Sequence, residues 1–161
     1  RRMTACISSQ VGCSLACAFC ATGKLKLLRN LSAGEIYDQV YYLKKEAEKR
    51  HEKSLSNIVY MGMGEPLLNY KNVLRSTDLI GAEGLGMSPR RITVSTVGIA
   101  KLVRKLADDQ VKFNLALSLH AADDKKRSEI MPHSDISSFI VIGVMCMSFL
   151  FLSKIIAKKK R

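Results

Sequence analysis

The chain has 161 residues, 47% of them apolar and 25% charged, and its 26 basic and 14 acidic side chains give a formal charge of +12. That composition excludes a disordered chain and a collagen-like one, and the length suffices for one domain with a core of its own. A pI near 9.7 points to a polyanionic partner, either nucleic acid or an anionic membrane surface, with plain solubility charge as the alternative.

The start, Arg1-Arg2-Met3-Thr4-Ala5, runs into polar, cysteine-bearing text instead of an apolar stretch. It reads as a cut in a longer cytoplasmic chain, not as a secretory signal. Thr4 to Ser8 predicts a first strand, followed by a cysteine loop. Ser32 and Glu35 form a capping box, and Ile36, Val40, Leu43 and Ala47 continue at helical spacing towards Lys49-Arg50. Asn57 to Met61 predicts a buried strand that runs into Gly62-Met63-Gly64-Glu65-Pro66. A helix over Tyr70 to Ile80, a turn-rich stretch from Gly81 to Pro89 and a strand over Arg91 to Thr96 follow. Ile99, Leu102, Val103 and Leu106 mark a third helix, and Phe113 to Leu119 a fourth strand. This alternation is the rhythm of a parallel α/β sheet or barrel.

Two strands carry a further pattern. Phe113, Leu115, Leu117 and Leu119 fall on one face, expected against helices, while Asn114, Ala116, Ser118 and His120 fall on the other, expected to line a barrel interior. Thr93 and Ser95 share the polar side of the preceding strand. Ser95, Ser118 and His120 then face one cavity at the C-terminal strand ends, where parallel α/β folds hold ligands. A lone histidine is otherwise a satisfied core or loop residue.

Cys13, Cys17 and Cys20 stand as C-x3-C-x2-C, with Cys6 seven residues before the first of them. Three neighbouring thiolates suit a [4Fe-4S] cluster whose fourth iron stays open to a substrate or cofactor. The alternatives are a four-cysteine zinc site that includes Cys6, although the spacing lacks a second C-x2-C knuckle, and unrelated cytosolic thiols. Phe19 would cover such a cluster or belong to the core.

Residues 136–161 form a separate segment. Ile136 to Ser153 is eighteen residues without a charge, ahead of Lys154, Lys158, Lys159, Lys160 and Arg161. These five cations come with no acid, leaving 21 basic against 14 acidic side chains, or +7, for residues 1–135. The apolar run reaches the lower length limit of a membrane helix with a cytoplasmic C-terminus.

The cysteine loop, with an aromatic before its third cysteine, resembles the radical S-adenosylmethionine (SAM) superfamily. The blocks Cys6-Ile7-Ser8-Ser9-Gln10-Val11-Gly12-Cys13, Ala21-Thr22-Gly23-Lys24, Arg29-Asn30-Leu31, Met61 to Asn69, Ser95-Thr96-Val97-Gly98 and Ser118-Leu119-His120-Ala121 resemble the RlmN family within it. Members are dual-specificity adenine methyltransferases of ribosomal and transfer RNA. The resemblance covers about Met3 to Pro132 and implies an α/β fold, part of a (β/α)6 barrel with about four strands and three helices here. It further implies that Cys13, Cys17 and Cys20 ligate a [4Fe-4S] cluster and that Gly64, Glu65, Ser95, Ser118, Leu119 and His120 contact SAM. Cys6 becomes the thiol that works with a distant methyl-carrying cysteine to form 2-methyladenosine in 23S rRNA and tRNA. The reduction calls for an external donor such as a flavodoxin-type protein. Methylation at carbon 8 of adenine and a zinc-stabilised, non-catalytic RNA-binding module are the competing readings.

Family text gives way after Met131-Pro132 to the apolar segment, which is expected to be a frameshift-like or membrane-like end, with a helix as one reading. A membrane partner follows only if that end is genuine. Cys146, in Val144-Met145-Cys146-Met147-Ser148, does not resemble the methyl-carrying context. The expectation is therefore a family fragment, residues 1–135, with exposed strand edges and no methyl transfer on its own.

Overall fold

The computed structural model describes residues 2–133. The segment 136–161, the boundary expected after residue 135 and Cys146 lie outside the described residues. In chain order the main elements are β1 (Thr4–Cys6), β2 (Gln10–Val11), β3 (Arg29–Asn30), α1 (Ala33–His51), β4 (Asn57–Tyr60), α2 (Tyr70–Ile80), β5 (Ile92–Thr96), α3 (Ala100–Asp108), β6 (Asn114–Leu117) and α4 (Asp124–Ile130). Strands β1, β4, β5 and β6 make one parallel sheet in that spatial order. Each helical crossover adds the next strand on the same side, as in a growing barrel; a doubly wound sheet would reverse direction at a switch point. The expected partial α/β barrel is thus present. Two features go beyond the expectation: a short antiparallel ribbon of β2 and β3, and the helix α4.

Alternation sorts the two faces of the sheet. Ala5, Ile58 and Ile92 stand in register across three strands, and so do Cys6, Val59 and Thr93. The first row is buried with Tyr60 and Val94 in a core that also takes Ile36 and Val40 from α1 and Val73 and Ile80 from α2. Each such branched side chain taken from water stabilises by about 1.5–3 kcal/mol. The hydroxyl of Tyr60 lies 2.7 Å from Ser76 Oγ, and burial pushes its pKa well above the ordinary value. The second row faces away from this core, and Cys6 is exposed.

The leucine face of β6 is covered less than its alternation suggests. Phe113 packs on the core, but Leu115 remains 41% exposed, because β6 is the sheet edge among the described residues. The strand is also shorter than expected. Ser118 N–H makes one further bond to Thr96 O (2.9 Å), and two residues later His120 adopts a left-handed backbone with φ 55°. Among the described residues no helix is long and apolar enough to cross a membrane.

The start of α1 shows how local sequence fixes the frame. Ser32 Oγ accepts from Glu35 N–H (3.2 Å), and a Glu35 carboxylate oxygen accepts from Ser32 N–H (2.9 Å). The Arg29 guanidinium donates to both Glu35 oxygens and, with the capping bond, holds its carboxyl down at about 2. Ser32→Ala is expected to cost about 1 kcal/mol, read as a lower urea midpoint. An unchanged midpoint would show that Arg29 alone holds this corner.

Candidate active site

The cysteine loop folds back on itself at Ala16, whose φ is 49°. Cys20 N–H donates to Cys17 O (3.1 Å), and Gly23 N–H to Cys20 O (3.0 Å). Gly23 sits so close that a Cβ there would lie 2.7 Å from Cys17 O. Cys17 is buried with Leu15 and Met131, and Cys13, Cys20, Val97 and Ile130 pack against them. Burial pushes the Cys17 thiol up, and the neighbouring Cys13, Cys20 and Glu65 push it further. Cys13 and Cys20 are therefore close enough to act on Cys17 electrostatically, and a cationic iron centre would favour its thiolate. Among the described residues no three His, Cys, Asp or Glu side chains form a set for a single ion. Such a set would need every donor about 2.0–2.3 Å from one point, whereas in a cluster each thiolate binds its own iron. Cys13 and Cys20 packed about the buried Cys17 are a donor set that suits three irons of a [4Fe-4S] cluster. Cys6 stands at the end of β1, and the thiols acting on Cys17 are those of Cys13 and Cys20.

The Gly64-Glu65 turn follows β4 and is held by the segment that leads into the cysteine loop. Ser9 and Gln10 N–H groups donate to Met63 O, while Gln10 Oε1 accepts from Glu65 N–H (2.8 Å) and Gln10 Nε2 donates to Asn30 Oδ1 (2.7 Å). Asn69 donates to Ser9 O (2.8 Å) and Leu31 O (2.7 Å). Glu65 is only 3% exposed. One of its oxygens accepts from Leu67 N–H and the other from Val97 N–H, both at 3.0 Å, with Thr96 bonded as well. The carboxylate thus joins the turn to the end of β5, within electrostatic reach of Cys17.

Burial raises the Glu65 pKa above the ordinary 4.5, outweighing the hydrogen bonds from Thr96, Val97 and Leu67 that lower it. The folded chain then holds this proton more tightly than the unfolded one. The resulting stabilisation is full below the ordinary 4.5 and is lost as pH rises through the raised value. Relative to Glu65→Gln, the urea stability of the chain is expected to fall across that window. A difference independent of pH would mean that Glu65 titrates normally.

Ser95, Ser118, Leu119 and His120 come together at the neighbouring ends of β5 and β6. Ser95 pairs with Ala116 and Thr96 with Leu117. The His120 ring packs on Phe19 with centroids 4.0 Å apart and a tilt of 32°. Phe19 is 52% exposed, so it belongs to the site's rim and not to the core. The structure thereby brings the cysteine loop, the Gly64-Glu65 turn and the Ser118 to His120 segment to one end of the sheet. Three positioning residues escaped the sequence reading. Gln10 and Asn69 lay inside recognised blocks without a role, and Arg127 lay in a charge run; the guanidinium of Arg127 donates to Val97 O (2.8 Å), Ser118 O (3.0 Å) and Leu119 O (3.1 Å).

Comparison with known proteins agrees with this geometry. The radical SAM superfamily pattern matches residues 7–140. The chain is 61% identical over 134 residues to a probable dual-specificity RNA methyltransferase RlmN of Flavobacterium johnsoniae, covering 83% of this chain and 38% of that protein. It is 56% identical over 149 residues to a probable protein of the same name from Cytophaga hutchinsonii, covering 92% and 41%. A crystal structure of a radical SAM methyltransferase from Sphaerobacter thermophilus superposes with a TM-score of 0.77 at 45% identity, over 81% of this chain and 38% of that one. The chain spans about two fifths of the length of the curated relatives it matches. With the three thiols, the buried glutamate and the strand ends gathered as described, the chain belongs to the radical SAM superfamily and is RlmN-like over the part it shares with those relatives.

Proposed function

We propose that this chain is the cluster- and SAM-binding part of an RNA methyltransferase that forms 2-methyladenosine in 23S rRNA and tRNA. Superfamily membership implies a [4Fe-4S] cluster and SAM as cofactors. The observation that carries the reading is the convergence of Cys13, Cys17 and Cys20 with Glu65 at the C-terminal strand ends: Cys13, Cys20 and Val97 pack about Cys17, and Val97 N–H donates to the Glu65 carboxylate. In this reading Cys13, Cys17 and Cys20 hold three irons, and the bound cofactors supply the reducing electron and the radical chemistry.

The protein's own residues do the rest. Gly64 lets backbone approach closely, and Glu65, held by Leu67 and Val97 N–H groups, offers negative charge to the SAM ammonium. That charge favours the ionised carboxylate, so bound SAM would oppose the upward shift caused by burial. Ser95, Ser118, Leu119 and His120 contribute further contacts, and the exposed Cys6 is the thiol that pairs with a methyl-carrying cysteine elsewhere in the whole protein. The chemistry requires an external one-electron donor of flavodoxin type and a reduced thiol pool, which implies the cytoplasm.

Anaerobic reconstitution tests the reading. About four irons and four sulfides per chain, a broad visible absorbance and reductive release of 5'-deoxyadenosine from SAM are expected. Zinc without sulfide would replace the proposal with a zinc-stabilised RNA-binding module. Mass spectrometry of RNA modified by a full-length relative from cells separates carbon 2 from carbon 8, and the proposal requires carbon 2.

A further inference from the structure

We infer that α4 is a clamp that sets the cysteine loop against the ends of β5 and β6, with Arg127 as its positioning residue. The relevance to SAM rests on the function proposed above; the clamp itself rests on geometry. Arg127 is 2% exposed, and a guanidinium so buried is tolerated only where its donors are satisfied. Its planar fork reaches Val97 O beyond β5 and Ser118 O and Leu119 O beyond β6. One side chain therefore fixes the separation of two strand exits. A lysine ammonium, a single point donor on a flexible stem, cannot span them in the same way.

The two carbonyls on the β6 side immediately precede His120, whose left-handed backbone is disfavoured by roughly 1–2 kcal/mol for a residue with a Cβ. Arg127 holds the segment in the path that leads to this turn, and the turn delivers the His120 ring to Phe19. The far end of the same helix grips the loop that contains Phe19. Ile130 O accepts from Ala18 N–H (3.0 Å), and the fully buried Met131 packs with Leu15 and Cys17. The middle of α4 thus holds the segment proposed to contact SAM, its end holds the loop proposed to carry iron, and a single helical turn sets the spacing between them.

Three variants test this: Arg127→Met, Arg127→Lys and, as a control for general destabilisation, Val73→Ala in the helix-sheet core. Hydrogen exchange of the metal-free chain is measured first. Arg127→Met is expected to accelerate amide exchange at least about tenfold in both residues 15–20 and residues 118–121, consistent with losing hydrogen bonds to a charged group. Arg127→Lys should fall between, and Val73→Ala should leave these two segments no more affected than the rest of the chain. SAM binding to the anaerobically reconstituted chain is then measured by equilibrium dialysis. Arg127→Met is expected to retain its iron yet bind SAM at least about tenfold more weakly. Unchanged exchange in either segment, or equal effects from Val73→Ala, would overturn the clamp. If the unsubstituted chain binds neither iron nor SAM, the cofactor reading fails, and the exchange measurements still decide the clamp.

Discussion

Cys17→Ser is expected to leave the anaerobically reconstituted chain colourless, with iron and sulfide at background. Of the three loop cysteines Cys17 is the buried one, seated between Leu15 and Met131 and flanked by the other two thiols. A hydroxyl there stays protonated at neutral pH and does not replace a thiolate on iron, so the loop is left with two ligands. The fold should survive, since seating a hydroxyl in an apolar pocket costs about 1–3 kcal/mol. Cys6→Ser is the informative partner. Under the cluster assignment it keeps full iron and sulfide, because Cys6 lies exposed on the sheet face opposite Ala5; under a four-cysteine zinc site it loses the metal. Full iron in Cys17→Ser, or metal loss in Cys6→Ser, would move the assignment to another ligand set.

The second large effect is expected at Gly64. Its φ is 96°, and a Cβ added there would lie 2.5 Å from Gln10 Cβ and 2.7 Å from Gln10 Oε1. Gln10 is unable to retreat, because its amide is bonded at one end to Glu65 N–H and at the other to Asn30. Backbone strain of about 1–3 kcal/mol adds to an overpacking cost of about 1–3 kcal/mol. Gly64→Ala should therefore lose roughly 2–6 kcal/mol of unfolding free energy. Gly86→Ala isolates the first of these costs, since its φ is 68° but nothing lies within 4 Å of the added atom. Equal losses at the two glycines would show that contact with Gln10 contributes nothing.

The parts of the fold that were legible in sequence are those governed by near neighbours. The capping box of Ser32 and Glu35 forms as read, and the helix over Tyr70 to Ile80 keeps both ends. The strands around Ile58 and Val94 announce themselves, the first as a short apolar run and the second by its alternation of buried Ile92 and Val94 with Thr93 and Ser95. Helix α4 did not, since Asp124-Lys125-Lys126-Arg127 has no apolar periodicity. Its signal was the Asp123 cap, which accepts from Lys126 N–H, and its anchor is a buried cation that composition reads as solvated. The ribbon of β2 and β3 is two residues long on each side, too short for any alternation.

In the site, the cysteine spacing was a local signal and the family blocks supplied the rest. What no local pattern contains is the joining of Gln10 to Glu65 across 55 residues, or of Glu65 to Val97 across 32. The exposed Leu115 has the same origin: alternation assigns a face, but cover depends on which neighbour the edge strand lacks.

The bond from Ala18 to Ile130 also has a bearing on synthesis. Cys13, Cys17 and Cys20 leave the ribosome ahead of their retaining helix α4, which ends about 110 residues after Cys20. At roughly 5–20 residues per second that interval lasts on the order of 5–20 seconds. During it the loop has its cysteines but neither Met131 beneath Cys17 nor Ile130 O to hold its backbone. Under the proposed cluster assignment, iron delivered in that interval would meet a loop without a floor, so metal loading belongs after α4 has been made.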